Sequence, residues 1–157
     1  KRDLNMNFRE PTEHVGYLIG DVSRMLRTVY DRRVEPLGLT RSQWRVLARI
    51  SRIEGCTQTA LAGELEIEKP TLGKLIDRLE EKQWVERRPD QNDARIKRLF
   101  LTKRAGPLLD EMFVLADDVL DTAISGLNGK EADDLNKALL KIKTNLAELL
   151  NTDLKDK

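Results

Sequence analysis

Apolar positions along this chain change their period several times, and each change marks an element. From Thr12, the residues Val15, Leu18, Ile19, Val22, Met25, Leu26 and Val29 recur at helical spacing. Pro36-Leu37-Gly38, a breaker followed by a glycine stop signal, should end that first helix. Thr40 is placed to cap a second helix reaching about Ile53, with Trp44, Leu47, Ala48 and Ile50 inward. After a turn at Glu54-Gly55-Cys56, Thr57 caps a short third helix whose Leu61, Ala62 and Leu65 face the core. Glu66-Ile67-Glu68 reads as the next turn, with Ile67 as its buried plug.

The fourth helix opens at Lys69-Pro70, because proline at the first helical position loses no hydrogen bond. Leu72, Leu75, Ile76 and Leu79 then follow at i, i+3, i+4 and i+7 as a buried stripe. The opposite face carries Lys69, Thr71, Gly73, Lys74, Asp77 and Arg78, small and basic residues that allow close approach to a groove floor. Val85 to Arg88 and Ile96 to Leu101 alternate as two antiparallel strands, with Leu99 and Leu101 inward. They meet at a polar tip, Pro89-Asp90-Gln91-Asn92-Asp93-Ala94-Arg95. Thr102 is the expected cap of a long fifth helix through Leu108, Leu109, Met112, Phe113, Ala116, Val119, Leu120, Ala123 and Ile124. Gly126 to Gly129 breaks it. In the last helix Leu135, Leu139, Ile142, Leu146 and Leu149 step by 4, 3, 4 and 3, a coiled-coil seam of about two heptads.

Two helices joined by a tight turn and followed by a basic hairpin are the parts of a winged helix-turn-helix. The expected fold class is therefore mainly α with a small β-hairpin wing and long N- and C-terminal dimerisation helices. Residues 1–11 read as a flexible arm, 12–38 as a dimerisation helix, 39–102 as the winged helix and 103–157 as C-terminal dimerisation helices. The first, fifth and sixth helices offer more apolar surface than a small reading head can cover, which implies a homodimer.

Composition sharpens this picture. The 157 residues are 35% charged and only 4% aromatic, as in helical rather than strand-rich proteins. The net charge is only +1, but the distribution is uneven. Lys82 to Arg104 holds eight Lys/Arg against three acids, whereas Asp110 to Lys157 holds six Lys against eleven Asp/Glu. A basic middle suits phosphate, and the acidic tail half suits something else. The single cysteine, Cys56, excludes an internal disulfide framework and fits a reducing cytoplasm. No apolar run approaches the roughly 20 residues of a membrane span, so a cytoplasmic protein is expected. With one histidine, one cysteine and no glycine-rich phosphate loop, the sequence shows no catalytic motif, cofactor motif or metal set.

The candidate chemistry is electrostatic. Arg87, Arg88, Lys97 and Arg98 form a general phosphate-neutralising pool, of which only some are expected to reach the backbone. Arg95 at the hairpin tip is the candidate for a narrow minor groove. Asp93 should fix the turn through Asx-type bonding and orient Arg95 by pairing. Thr71, Lys74 and Arg78, with Lys69 at the helix start, are the candidate readers of the major groove. The implied partner is double-stranded DNA. The alternative is a winged helix used as a protein-interaction or architectural scaffold without specific operator recognition.

The run Asp93-Ala94-Arg95-Ile96-Lys97-Arg98-Leu99-Phe100-Leu101-Thr102-Lys103-Arg104-Ala105-Gly106 resembles the wing signature of MarR-type transcription regulators, Asp-x-Arg followed by a strand and Leu-Thr-x-x-Gly. The order from Leu39-Thr40 to Leu79-Glu80-Glu81-Lys82 resembles that family too, and Lys69-Pro70-Thr71-Leu72 is similar to the SlyA-like branch. The resemblance implies a homodimeric, ligand-responsive regulator, often a repressor, binding a palindromic operator and modulated by a small phenolic or aromatic carboxylate. By position it makes Asp93 and Arg95 the wing pair and places Tyr17 and Trp44 at the walls of a ligand pocket. Two positions depart from the pattern. Ala94 stands where a second basic residue is common, and Gln83-Trp84 replaces the usual helix-ending glycine. Cys56 lies in the turn before the third helix, not on the first helix as in thiol-sensing relatives, and reads as a small semi-buried side chain.

Overall fold

Six α-helices and one two-stranded hairpin make up the computed structural model, which describes residues 14–153. The expected arm at 1–11 and the Thr12 start of the first helix lie outside the described residues. In chain order the elements are α1 (Val15–Val34), α2 (Arg41–Arg52), α3 (Gln58–Leu65), α4 (Lys69–Glu81), β1 (Val85–Pro89), β2 (Lys97–Leu101), α5 (Gly106–Ile124) and α6 (Gly129–Asp153). The chain divides into two units that meet between Val119 and Leu120. Among the described residues no helix is long and apolar enough to cross a membrane.

Local chemistry sets most boundaries of the first unit. α1 gives way to a single 3-10 turn at Glu35–Leu37 and stops at Gly38, whose φ of 71° is left-handed. Thr40 and Gln43 form a reciprocal capping box at the start of α2. Thr57 Oγ1 accepts from the Ala60 amide at 3.1 Å to start α3. α3 ends with Glu66 at a φ of 53°, and the Ile67 amide bonds back to Ala62 O at 3.0 Å. Ile67 packs against the core but is only half-buried, not the fully buried plug expected. α4 ends the same way on Gln83, with a φ of 58° and Trp84 N bonded to Leu79 O at 3.0 Å. The missing glycine is thus replaced by a glutamine held left-handed. Its backbone oxygen also accepts from Thr102 Oγ1, and its side chain accepts from Arg104.

The core gathers Val46, Leu47 and Ile50 of α2, Leu61 of α3, Leu72, Ile76 and Leu79 of α4, and Leu99 of β2. All are essentially fully buried, each contributing about 1.5–3 kcal/mol of apolar transfer. The hairpin pairs antiparallel with Val85 opposite Leu101, Arg87 opposite Leu99 and Pro89 opposite Lys97. A third edge comes from the turn before α3. Gly55 N donates to Leu99 O at 3.0 Å, Leu99 N donates to Cys56 O at 2.9 Å, and Thr57 bridges Arg98. This ties the wing to the start of the helix-turn-helix. Thr102 does not cap α5, contrary to expectation: its hydroxyl is committed to Gln83 O. A 3-10 turn at Lys103–Ala105 intervenes, and α5 begins at Gly106.

Three side chains near the end of α1 brace it. Tyr30 Oη donates to Met112 O of α5 at 2.9 Å, and Arg33 pairs with Asp118 at 3.2 Å. Asp31 accepts from Arg41 Nε at 2.7 Å and from Trp44 Nε1 at 2.8 Å. Closer to its start, α1 leaves Val15, Tyr17, Leu18, Ile19, Val22 and Met25 exposed.

The second unit holds the end of α5, a short turn and α6. Asn128 and Glu131 form a capping box, with Glu131 N to Asn128 Oδ1 at 3.0 Å and Asn128 N to Glu131 Oε2 at 2.8 Å. No described residue of α6 is buried. Leu135, Leu139, Leu146 and Leu149 of its seam are exposed, and Ile142 is half-buried.

Candidate nucleic-acid interface

α4 buries one face and turns another outward. Lys69, Thr71, Lys74 and Arg78 are all exposed. Among the described residues, no hydrogen bond or ion pair engages the side chains of Lys69, Lys74 or Arg78, so their charges are available to a polyanion. Gly73 and Asp77, expected on the same face, instead turn toward the wing.

At the hairpin tip, Arg95 is 91% exposed and held by its neighbour. Asp93 Oδ1 accepts from the Arg95 amide at 3.0 Å and from Nε at 3.0 Å, while Oδ2 accepts from a terminal nitrogen at 3.1 Å. The side-chain and backbone hydrogen bonds from Arg95 hold the Asp93 carboxyl below the usual carboxylate range. Asp93 therefore stays ionised and the guanidinium stays oriented, the arrangement expected for this pair. Lys97 Nζ donates to Ala94 O at 3.0 Å and remains exposed.

The tip has a second organiser that sequence reading overlooked. Asp90 Oδ1 accepts from the Asn92 amide at 2.8 Å and the Asp93 amide at 3.3 Å, and Oδ2 binds Arg98. Hydrogen bonds from the Asn92 amide and the Arg98 guanidinium hold its carboxyl low as well. Pro-Asp-x-Asn-Asp is an Asx-turn pattern, so the signal was present.

Lys69 of α4, Thr57, Gln58 and Thr59 at the start of α3, and Arg95, Ile96 and Lys97 of the wing line one open cleft of about 470 Å³. The starts of α3 and α4 and the wing tip thus converge on one surface.

The arginine pool does not behave as a pool. Arg87 is only 20% exposed and is bound to Glu80, Asp77, Gln58 and Gly73 O, so it is not presented to solvent. The strand period explains this, because Arg87 shares the inward face with Val85 and lies opposite Leu99. Arg98 is committed to Asp90 and to Gly55 O at 2.8 Å. Arg88 pairs with Glu86 and lies over the Phe100 ring at 4.3 Å, on the outer face. Among the described residues of α4 and the wing, the cations without a carboxylate partner are Lys69, Lys74 and Arg78 on the helix and Lys97 on the hairpin.

Tyr17 and Trp44 are not brought together. Trp44 stacks edge-on against Tyr30 with centroids 4.7 Å apart and gives its indole N–H to Asp31. Tyr17 is exposed and packs against His14, 13 residues and roughly 20 Å of helix rise before Tyr30. Burial and then the Glu64 charge push the half-buried Cys56 thiol up. Among the described residues no group of three His, Cys, Asp or Glu could hold a metal ion.

The sequence pattern of the MarR family matches residues 39–97, from the entry to α2 to the start of β2. Over 86% of this chain and 99% of the other, the crystal structure of transcriptional regulator PA3341 is similar at 33% identity and a TM-score of 0.76. A mutant MarR from E. coli, solved in complex with operator DNA, is similar at 28% identity and a TM-score of 0.67, covering 81% of this chain and 91% of its own. MepR from S. aureus in a DNA complex is similar at 25% identity and a TM-score of 0.69, over 84% and 98%. This mainly helical chain with its two-stranded hairpin belongs to the MarR family of winged helix-turn-helix transcription regulators.

Proposed function

We propose that this protein regulates transcription as a homodimer that binds a palindromic operator in double-stranded DNA. In this reading α4 enters the major groove with Thr71, Lys74 and Arg78 toward base edges, and Arg95 enters the adjacent minor groove. Lys69, Arg88 and Lys97 contact phosphates at the margins. The observation that carries the reading is the convergence of Lys69, Arg95 and Lys97 on one cleft, with Lys74 and Arg78 exposed further along the same helix. Two structurally similar chains solved with DNA support it. The Lys69-Pro70-Thr71-Leu72 start of α4 supports placement in the SlyA-like branch.

Homodimerisation is supported by apolar surface on elements away from the reading head. In the first unit α1 exposes Val15, Leu18, Val22 and Met25. In the second, α6 exposes Leu135, Leu139, Leu146 and Leu149 at heptad spacing. A small phenolic or aromatic carboxylate is the proposed effector; within one chain Tyr17 lies roughly 20 Å of helix rise from the Tyr30–Trp44 contact, so Tyr17 and Trp44 of the same chain do not line one site.

Selection from a random duplex library tests the proposal. The expected result is a two-fold symmetric consensus with half-sites about 10 base pairs apart, centre to centre. Lys74→Ala or Arg78→Ala should change the consensus within each half-site. Failure to enrich any sequence by a folded dimer would overturn the proposal and favour a scaffold without operator recognition.

A further inference from the structure

Arg87 is a basic residue on a wing strand, yet every nitrogen of its guanidinium is engaged inside the reading head. Nε donates to Gln58 Oε1 of α3 at 3.0 Å, and one terminal nitrogen donates to Gly73 O of α4 at 3.0 Å. The other terminal nitrogen meets Glu80 and lies 2.8 Å from Asp77 Oδ1. The Arg87 amide adds a bond to Glu80 Oε1 at 2.8 Å, so Glu80 also covers the open edge of β1. One side chain therefore joins α3, α4 and the wing.

We propose that Arg87 and Glu80 form a positioning clamp that fixes the roll of α4 about its own axis and locks it in register with the wing. The inference rests on the DNA-binding reading above. Gly73, Asp77 and Glu80 sit at i, i+4 and i+7, a single stripe of α4 held against β1. Lys74 and Arg78 each follow a member of that stripe by one residue, about 100° around the helix. Fixing the stripe therefore fixes the azimuth of the outward side chains. A roll of about 10° would swing side-chain tips, about 6 Å from the axis, by roughly 1 Å. That displacement is enough to spoil bidentate hydrogen bonds to a base edge. Lysine cannot substitute, since it lacks the planar fork that serves Gln58, Gly73 O and two carboxylates together.

Arg87→Lys and Glu80→Gln test this from opposite sides. Each variant, checked as a folded protein, is titrated with a duplex selected by the wild-type protein and with a shuffled duplex, across salt. The clamp predicts that both variants lose about tenfold in the preference between duplexes, as a mismatched base pair would. The Arg87→Lys variant should keep the wild-type salt slope, because charge and phosphate contacts are unchanged. If Arg87 contacted phosphate instead, lysine would retain the preference, and Glu80→Gln would release the guanidinium and strengthen binding to both duplexes. Either of those results overturns the clamp. Hydrogen exchange gives a reading that needs no DNA. Amides at 85–101 should exchange about tenfold faster in Arg87→Lys while those at 46–50 do not change. Should the wild-type protein fail to distinguish the duplexes, the operator reading falls and exchange alone decides. Unchanged wing exchange would then refute the clamp.

Discussion

Replacing Arg95 with alanine separates a binding role from a structural one. The side chain is 91% exposed, and among the described residues its one partner is Asp93 on the same turn. Ion pairs this exposed contribute little to folding, so the unfolding midpoint should move by no more than about 2 °C. Binding should change far more. A dimer carries two wings, so the substitution removes two cations from the interface. At about 0.9 counterions per neutralised phosphate, the salt slope should lose about 1.8 units in magnitude. If the remaining contacts are unchanged and the electrostatic difference vanishes near 1 M salt, this amounts to about two hundredfold weaker binding at 50 mM and about twentyfold at 200 mM. The assay is fluorescence anisotropy with operator and shuffled duplexes at four or more salt concentrations, alongside thermal unfolding of the same samples. Both duplexes should weaken, since a minor-groove arginine reads little sequence. An unchanged slope would refute the assignment, as would a large fall in the unfolding midpoint.

Other substitutions probe the scaffold. Gly55→Ala should destabilise by about 1–2 kcal/mol in urea titration, because φ is +75° and the new Cβ would lie 3.3 Å from the Phe100 ring. Gly63→Ala, inside α3 with nothing within 4 Å, should instead stabilise by up to about 1 kcal/mol; the same sign for both would contradict the reasoning. Asp31→Asn should destabilise at neutral pH by a margin that shrinks in acid. Burial pushes the Asp31 carboxyl up, but hydrogen bonds from Arg41 and Trp44 and the charges of Arg41 and Arg27 outweigh it and hold it low. Its stabilisation is then complete above the unfolded value of about 3.9 and lost as pH falls through the folded one. A margin that is constant from pH 7 to 2 would count against that account. Leu146→Lys places a charge in the exposed seam of α6 and should shift a dimer toward monomer in sedimentation velocity, whereas an unchanged mass would remove that helix from the interface.

Much of the reading head was legible because its signals are local. Thr40 with Gln43, Thr57, Pro70 and Gly38 each fix an end within a few residues, and the Leu72-Leu75-Ile76-Leu79 stripe follows from helical period alone. The wing pair was equally local, since Asp93 and Arg95 are two residues apart. Failures came where a residue's partner is distant in sequence. Thr102 has the composition of a cap, but its hydroxyl serves Gln83 from 19 positions away. The edge formed by Gly55 to Thr57 pairs with β2 more than 40 residues on, and nothing in a turn sequence announces that. Arg87 is the instructive case. Charge alone assigned it to phosphate, whereas strand alternation with Val85 places it inward, where Glu80 and Asp77 await it. Period should have outranked charge there.

The most direct test of the account is anisotropy with the protein's own upstream DNA against a scrambled duplex of equal length, titrated across salt. A salt-dependent complex favouring the native DNA by about a thousandfold or more is the predicted result. Equal affinity for both duplexes, or no binding by a folded dimer, would contradict sequence-specific recognition by α4 and the wing.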